Sequence, residues 1–600
     1  GIDLNRDFIT QSQPETRATV QVIKDWNPMV ILDLHGFVSP MLIEPCTPPH
    51  NPNYEYDLYI KWAYQLALAM EAELYAQTGY PAQIPFRDDA MGWDDWPPTY
   101  TPMYGMFHGG YGHTLETPYR DERGVDAHFA AVWGALKYSA VHQQAMIYDQ
   151  IEIFRRGFLA LPQMLIPDEL LNETQYEQYN ELTVKVFPAA YILPKDMPLQ
   201  LSGHQPQRLV QFLLDNDVQV EQTVESFIFD GFEFPAGTYV VWMNQPKRGL
   251  ANTILEAGMD MSNIQGLTFY SPPSVWSNPL LWGTAIWVMP DPLELSTIAV
   301  KSADLARGWV EGGAVGAYAY SLTSLEAFQA TNELVERGVW VTRTTTGFED
   351  QGRAFSPGMI VLPADPSLAN ELASRFALTV SALQDIPVSA VPVTSLRVAV
   401  SGDAGLRLAL ERLGFQYDLI SVQGFNAGGL DSYDVFINQS IDWSALNRWG
   451  QASYTHFVQA GGHYIGLLRT GVGFALSAGI SDATFATNSG NTIVKLRYDL
   501  ADPLAAGFNS QDYAFVYYPL WFTHLGTGAS RVVATFDGPE FVVSGYWPGW
   551  QTSGAEDMPV VLSGLYGDGS YTLVGIDATF RVHPENTFRL IGNAIYEGLR

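Results

Sequence analysis

Cysteine is almost absent. The single residue, Cys46, excludes an internal disulfide and any cysteine-rich metal site. Positive charge is scarce as well: 32 Lys and Arg stand against 64 Asp and Glu, a formal net charge of -32. Such a field repels phosphate backbones and anionic lipid, which argues against nucleic-acid or membrane partners. No uninterrupted apolar stretch approaches the roughly 18 residues of a membrane-spanning helix. No fixed-period repeat or low-complexity tract is evident. The opening GIDLNRDF lacks a basic n-region, an apolar h-region and a cleavage site, and reads as the interior of a domain, so an upstream segment is expected. What remains is ample for folding: 600 residues, 47% of them hydrophobic, suggest about four domains.

The order of patterns along the chain predicts an α/β fold. Residues 28–34 (PMVILDL) are a continuous apolar run of the kind found in buried parallel strands. Residues 56–78 carry apolar groups at helical spacing and stop at Gly79. Residues 80–112, rich in Pro, Gly, Trp and Tyr, read as long ordered loops, then HTLETPY as a strand, then a helix from about Val125 to Arg156. These make a first domain, residues 1–156. Residues 157–393 alternate strands and helices between Pro-rich joins and form a mixed α/β region of one or two subdomains. Residues 394–600 open on LRVAV and alternate again, which predicts a flavodoxin-like, doubly wound sheet.

Three short segments of the first domain carry candidate chemistry. Asn5-Arg6 places an amide beside a planar guanidinium, a good receptor for a carboxylate. His35, in LDLHG, sits at the C-terminal end of a predicted strand, where open α/β sheets place ligands, and imidazole is a common metal ligand. His113-Thr114-Leu115-Glu116 contains H-x-x-E, but on a strand positions three apart face opposite ways, and Pro118 disfavours a helix. Glu116 and His113 are therefore expected to serve different sides.

Taken in order, GIDLNRDF, LDLHG and HTLETPY resemble the zinc carboxypeptidase family (the carboxypeptidase A-like metallopeptidases) over residues 1–150. The resemblance implies a truncated carboxypeptidase-type mixed sheet and a peptide substrate. It implies Asn5 and Arg6 as the grip on the substrate's terminal carboxylate, His35 as one zinc ligand and Glu116 as general base. It also implies an active-site tyrosine in the loop before Glu116, for which Tyr104 is preferred over Tyr100. The family's other zinc ligands, an H-x-x-E pair, lie upstream of the Asn-Arg pair, so this chain alone is expected to bind zinc poorly and to be inactive. The alternative is a peptidase-like protein that binds a peptide or cell-wall ligand without cleaving it. Arg87, Asp88 and Asp89 are candidates for biasing side-chain preference. The acidic, cysteine-poor composition suits a secreted or periplasmic protein.

Residues 396–600 resemble a class I glutamine amidotransferase-like domain through LRVAV, YDVFINQS, Gly461-Gly462 and GIDATFRVHPENTFRLIGNAI. No cysteine follows residue 46, so the nucleophile such a domain needs is missing and Thr470 is a poor substitute. This domain is expected to be non-catalytic, with His463 and His583 structural.

Overall fold

The structure is a computed structural model, described for all residues except 37, 48–49, 86, 89–95, 174–180, 183, 265–271, 314–315, 527–529, 600 and the side chains of 172–173. It is an α/β protein built on four main sheets.

The first sheet holds β1 (Val30–Gly36), β2 (Met41–Pro45), β3 (Ala82–Gln83) and β4 (Tyr111–Thr117), in the order β1-β4-β2-β3. β1 runs parallel to β4, with His35 level with Glu116, and β2 runs antiparallel to β4. Helices α2 (Tyr56–Thr78) and α4 (Glu122–Phe158) cover one face. There the His113 imidazole meets the Ala63 carbonyl at 2.8 Å, and the Tyr111 hydroxyl donates to Met146 O at 2.9 Å. The α2 helix ends where the sequence pattern does, at Gly79, whose φ of 72° closes the last turn in the left-handed region. The opposite face meets the short helix α3 (Thr101–Met106). Gly105 permits that approach, because a Cβ there would lie 2.2 Å from Ile31 Cδ1. Part of the expected 80–112 loop is thus helical.

The middle region contains a duplication that the sequence does not advertise. A strand (Ala190–Leu193), helix (His204–Asp215), strand (Glu221–Thr223), hairpin (Phe227–Phe229 with Phe232–Phe234) and strand (Tyr239–Trp242) recur in the same order. The second set is Ala317–Tyr320, Leu325–Glu336, Thr342–Thr344, Phe348–Asp350 with Arg353–Phe355, and Ile360–Pro363. In each copy the last strand lies between the first two, antiparallel to both. Each hairpin turns through a left-handed pair, Asp230-Gly231 or Gln351-Gly352, and is closed by stacked phenylalanines, Phe227 on Phe234 and Phe348 on Phe355. The region is therefore two subdomains built alike.

In the C-terminal region five parallel strands lie in the order Asp418–Leu419, Val398–Ser401, Val435–Asn438, His463–Leu467, Gly569–Val574, the doubly wound arrangement expected from the sequence. Antiparallel strands extend that sheet to ten. This region packs on the rest of the chain: Ile2 joins its core, Phe580 joins the core of the first sheet, and Trp550 Nε1 donates to Asp260 Oδ2 at 2.9 Å. Among the described residues no helix is long and apolar enough to cross a membrane.

Candidate functional site

The N-terminal turn positions Asn5 and Arg6. Asp3 caps a 3-10 helix, Leu4–Arg6, by accepting from the Asn5 N–H at 3.1 Å. Asp7 then anchors the chain: its carboxylate accepts from the Ser12 N–H at 3.0 Å and the Gln13 N–H at 2.9 Å. The Arg6 guanidinium lies over the Tyr100 ring, 4.4 Å from its centroid, and its Nη1 donates to the Asn5 carbonyl.

Asp33 and His35 share a face of β1, being two residues apart, and Glu116 is on the same side of β4. His35 Nε2 lies 2.9 Å from Asp33 Oδ2, and that hydrogen bond raises the His35 pKa against the opposing effect of burial. Glu116 is raised by burial, while the His35 and Arg6 charges pull it down. The Arg6 charge acts on both groups, lowering the pKa of each. His113 faces the other way into the core, where burial pushes it down to about 4. The alternation argument against an H-x-x-E chelate agrees with this placement.

The structure does not bring Tyr104 to this group. Its ring is fully buried, its hydroxyl donates to Asn216 Oδ1, and His108 Nε2 stands 3.1 Å away. Tyr104 lies within α3 and packs against Phe8 and His108, whereas Tyr100 precedes the helix in extended backbone and lies under Arg6. Arg87 is held by Glu71 and Asp88 rather than directed at the group, and Asp89 lies outside the described residues. His463 is buried against Ser570 Oγ at 2.7 Å, and His583 is buried beside Phe515.

Three residues escaped the sequence reading. Asp33 stood in LDLHG without a role; the i, i+2 spacing on a strand was the available signal. His128 on α4 approaches Leu115 O at 3.2 Å and is influenced by the His35 charge. Arg581, with a left-handed φ of 46°, comes from the C-terminal region, and the Arg6 charge lowers its pKa after burial does. Two guanidiniums thus converge, a pairing no local pattern reveals.

The donor set does not by itself make a zinc centre. A catalytic zinc has three protein ligands, Asp33 engages only Nε2 of the His35 ring, and among the described residues no group of three or more His, Cys, Asp or Glu is arranged to hold a metal. A cavity of about 930 Å³ in the first middle subdomain is lined by Lys185, Glu221, Trp242 and Arg248. Lys185 pairs there with Glu256, Trp242 with Glu221 and Arg248 with Glu55.

No family model and no curated protein matches the chain. Solved structures similar to parts of it include a GMP synthase-type protein from Thermoplasma acidophilum, at 11% identity over 34% of this chain and 95% of that one, with a TM-score of 0.26. A ThuA-like protein from Bacteroides uniformis is 14% identical over 33% of this chain and 89% of that one, TM-score 0.23. A β-galactosidase from Rahnella sp. R3 is 14% identical over 38% of this chain and 34% of that one, TM-score 0.22. At these values the likenesses carry no argument about activity.

Proposed function

We propose that the space bounded by Arg6, His35 and Glu116 receives the C-terminus of a peptide, and that the chain carries part of a zinc metallocarboxypeptidase-type hydrolase. The observation that carries this reading is the convergence of three sequence-distant groups. A guanidinium sits on an aromatic ring, an imidazole is level with a carboxylate in register, and the guanidinium's charge acts on both. Arg6, with the Asn5 amide, binds the terminal carboxylate, and Arg581 adds positive charge from the C-terminal region. A carboxyl group raised by burial, as Glu116 is, suits a general base. On this reading the chain binds peptide ends, and hydrolysis needs zinc ligands beyond His35.

A second reading, a peptidase-like binding protein, is favoured by the Asp33 contact, which holds His35 Nε2 and favours the charged form of the ring. Zinc analysis after dialysis tests what the two readings share: substoichiometric metal is expected for this chain, and one tightly held zinc per chain contradicts that expectation.

The carboxylate claim is tested by fluorescence anisotropy with a labelled tripeptide in free-acid and amidated forms. The acid binds and the amide does not. Arg6→Ala weakens the acid at least about tenfold, equivalent to about 1.4 kcal/mol. Equal binding of acid and amide overturns the assignment.

A further inference from the structure

The doubly wound sheet of the C-terminal region has its own crevice. The chain leaves the strand Val398–Ser401 first to one side, toward Asp418–Leu419, and then to the other, toward Val435–Asn438. Ligands of open α/β sheets bind where the order reverses in this way, outside the carboxyl ends of the strands. The loops leaving those ends carry Asp403 and Gln439, and both line a cavity of about 520 Å³ with Leu468, Arg469, Tyr518 and Asp577. That volume is in the range of small-molecule sites.

The walls are held in unusual backbone. Leu468 has φ 55° at the elbow between the strand His463–Leu467 and the helix Leu468–Ser477, and Tyr518 has φ 58°. Left-handed non-glycine residues cost energy and persist where the surroundings enforce them, often at ligand sites. Leu468 occupies the elbow itself, so the position that could present a nucleophile presents an alkyl group instead.

The polar groups are positioned and partly unused. Asp577 is 6% exposed; its Oδ2 accepts the Tyr517 N–H at 2.6 Å, and its other oxygen has no protein partner among the described residues. Burial, reinforced by the Asp403 charge, holds this carboxyl up to about 8, so it is a proton donor at neutral pH. Asp403 is fixed by the Leu406 N–H at 2.9 Å and the Gln439 amide at 3.2 Å. The Arg469 guanidinium makes no hydrogen bond or ion pair among the described residues, in a chain with twice as many acids as bases. Tyr518 is exposed, and its hydroxyl accepts from the Tyr517 hydroxyl at 3.2 Å.

We propose that this cavity binds a small, neutral, hydroxyl-rich molecule of the mono- or disaccharide class, without reacting with it. Hydroxyls donate to Asp403 and accept from Arg469 and the Asp577 carboxyl. The exposed Tyr518 ring takes the C–H face of the molecule. An anion meets the Asp403 charge and the negative field of the whole chain, and a cation meets Arg469. The proposal is independent of the peptide-end reading above.

Saturation-transfer NMR on the 600-residue chain tests it, with galactose and maltose as probes and glutamate and inorganic phosphate as anionic controls. At least one sugar binds with an affinity of roughly millimolar or tighter. Tyr518→Ala and Arg469→Ala, both at exposed positions that leave the core intact, each weaken it about tenfold or more. Three results overturn the proposal: neither sugar saturates, both variants bind as the wild type does, or glutamate or phosphate binds in place of the sugars.

Discussion

At the scale of single residues, the Asp33–His35 contact decides what the imidazole is. The hydrogen bond from Asp33 raises the His35 pKa, and the neighbouring Glu116 charge adds to it. A histidine whose folded pKa is raised contributes stability below its unfolded value of about 6.5, and that contribution is lost as pH rises through the folded value. Asp33→Asn removes the main cause. The His35 pKa is then expected to fall toward or below about 6.5, read from the ring resonances in an NMR pH titration. An unchanged value contradicts the contact. The residue scale is also where the sequence was most legible: Arg6, His35 and Glu116 each stand out by position in a short motif, His35 and Glu116 are level on neighbouring strands, and the Arg6 charge acts on both. Tyr104 was not legible, because a helix of six residues inside a Pro- and Tyr-rich loop is too short to show in the pattern, and that helix carries Tyr104 into the core.

At the scale of elements, periodicity recovered the long pieces. The helix Tyr56–Thr78 was legible from its spacing and its terminal glycine, and the parallel strands of the C-terminal sheet from their short apolar runs. The duplication in the middle region was hidden because the copies keep shape with little shared sequence. FIFDGFEF and FEDQGRAF retain the turn glycine and the two closing phenylalanines, too few positions to make a repeat visible. Those glycines are where the shared geometry is set. Gly231 has φ 78° with open space around its Cα, so a side chain there is opposed by backbone strain and not by collision. Gly231→Ala is expected to destabilise the first subdomain by about 1 kcal/mol, and Gly352→Ala the second by a similar amount. Chemical denaturation checks this, and no loss in either variant contradicts the assigned turns.

At the scale of the whole molecule, one surface stands apart. Along α4, Val125, Phe129, Leu136, Tyr148, Ile151 and Phe158 are exposed at near-helical spacing, and Leu34 and Trp26 are exposed as well. Exposed apolar groups repeated along one helix favour association. The chain is expected to bind an apolar dye such as ANS and to self-associate in a concentration-dependent way. Phe129→Glu with Ile151→Glu is expected to reduce both, as measured by fluorescence and light scattering; undiminished association in that variant contradicts the assignment of the face. The same scale joins the first sheet to the C-terminal region, since Ile2 and Phe580 each pack into the other's core and bring Arg581 toward Arg6. That juxtaposition was invisible in sequence because nearly the whole chain separates the two arginines.

The central claim is that the imidazole, the carboxylate and the guanidinium enclose one ligand space that accepts a peptide's free end. Its most direct measurement is the resonance of the His35 ring, one of 11 histidines, during titration with a blocked tripeptide ending in a free carboxylate. The ring signals are predicted to move saturably with the free acid, to stay still with the amide, and to stay still with either in Arg6→Ala. A bound free acid that leaves His35 unmoved contradicts the account.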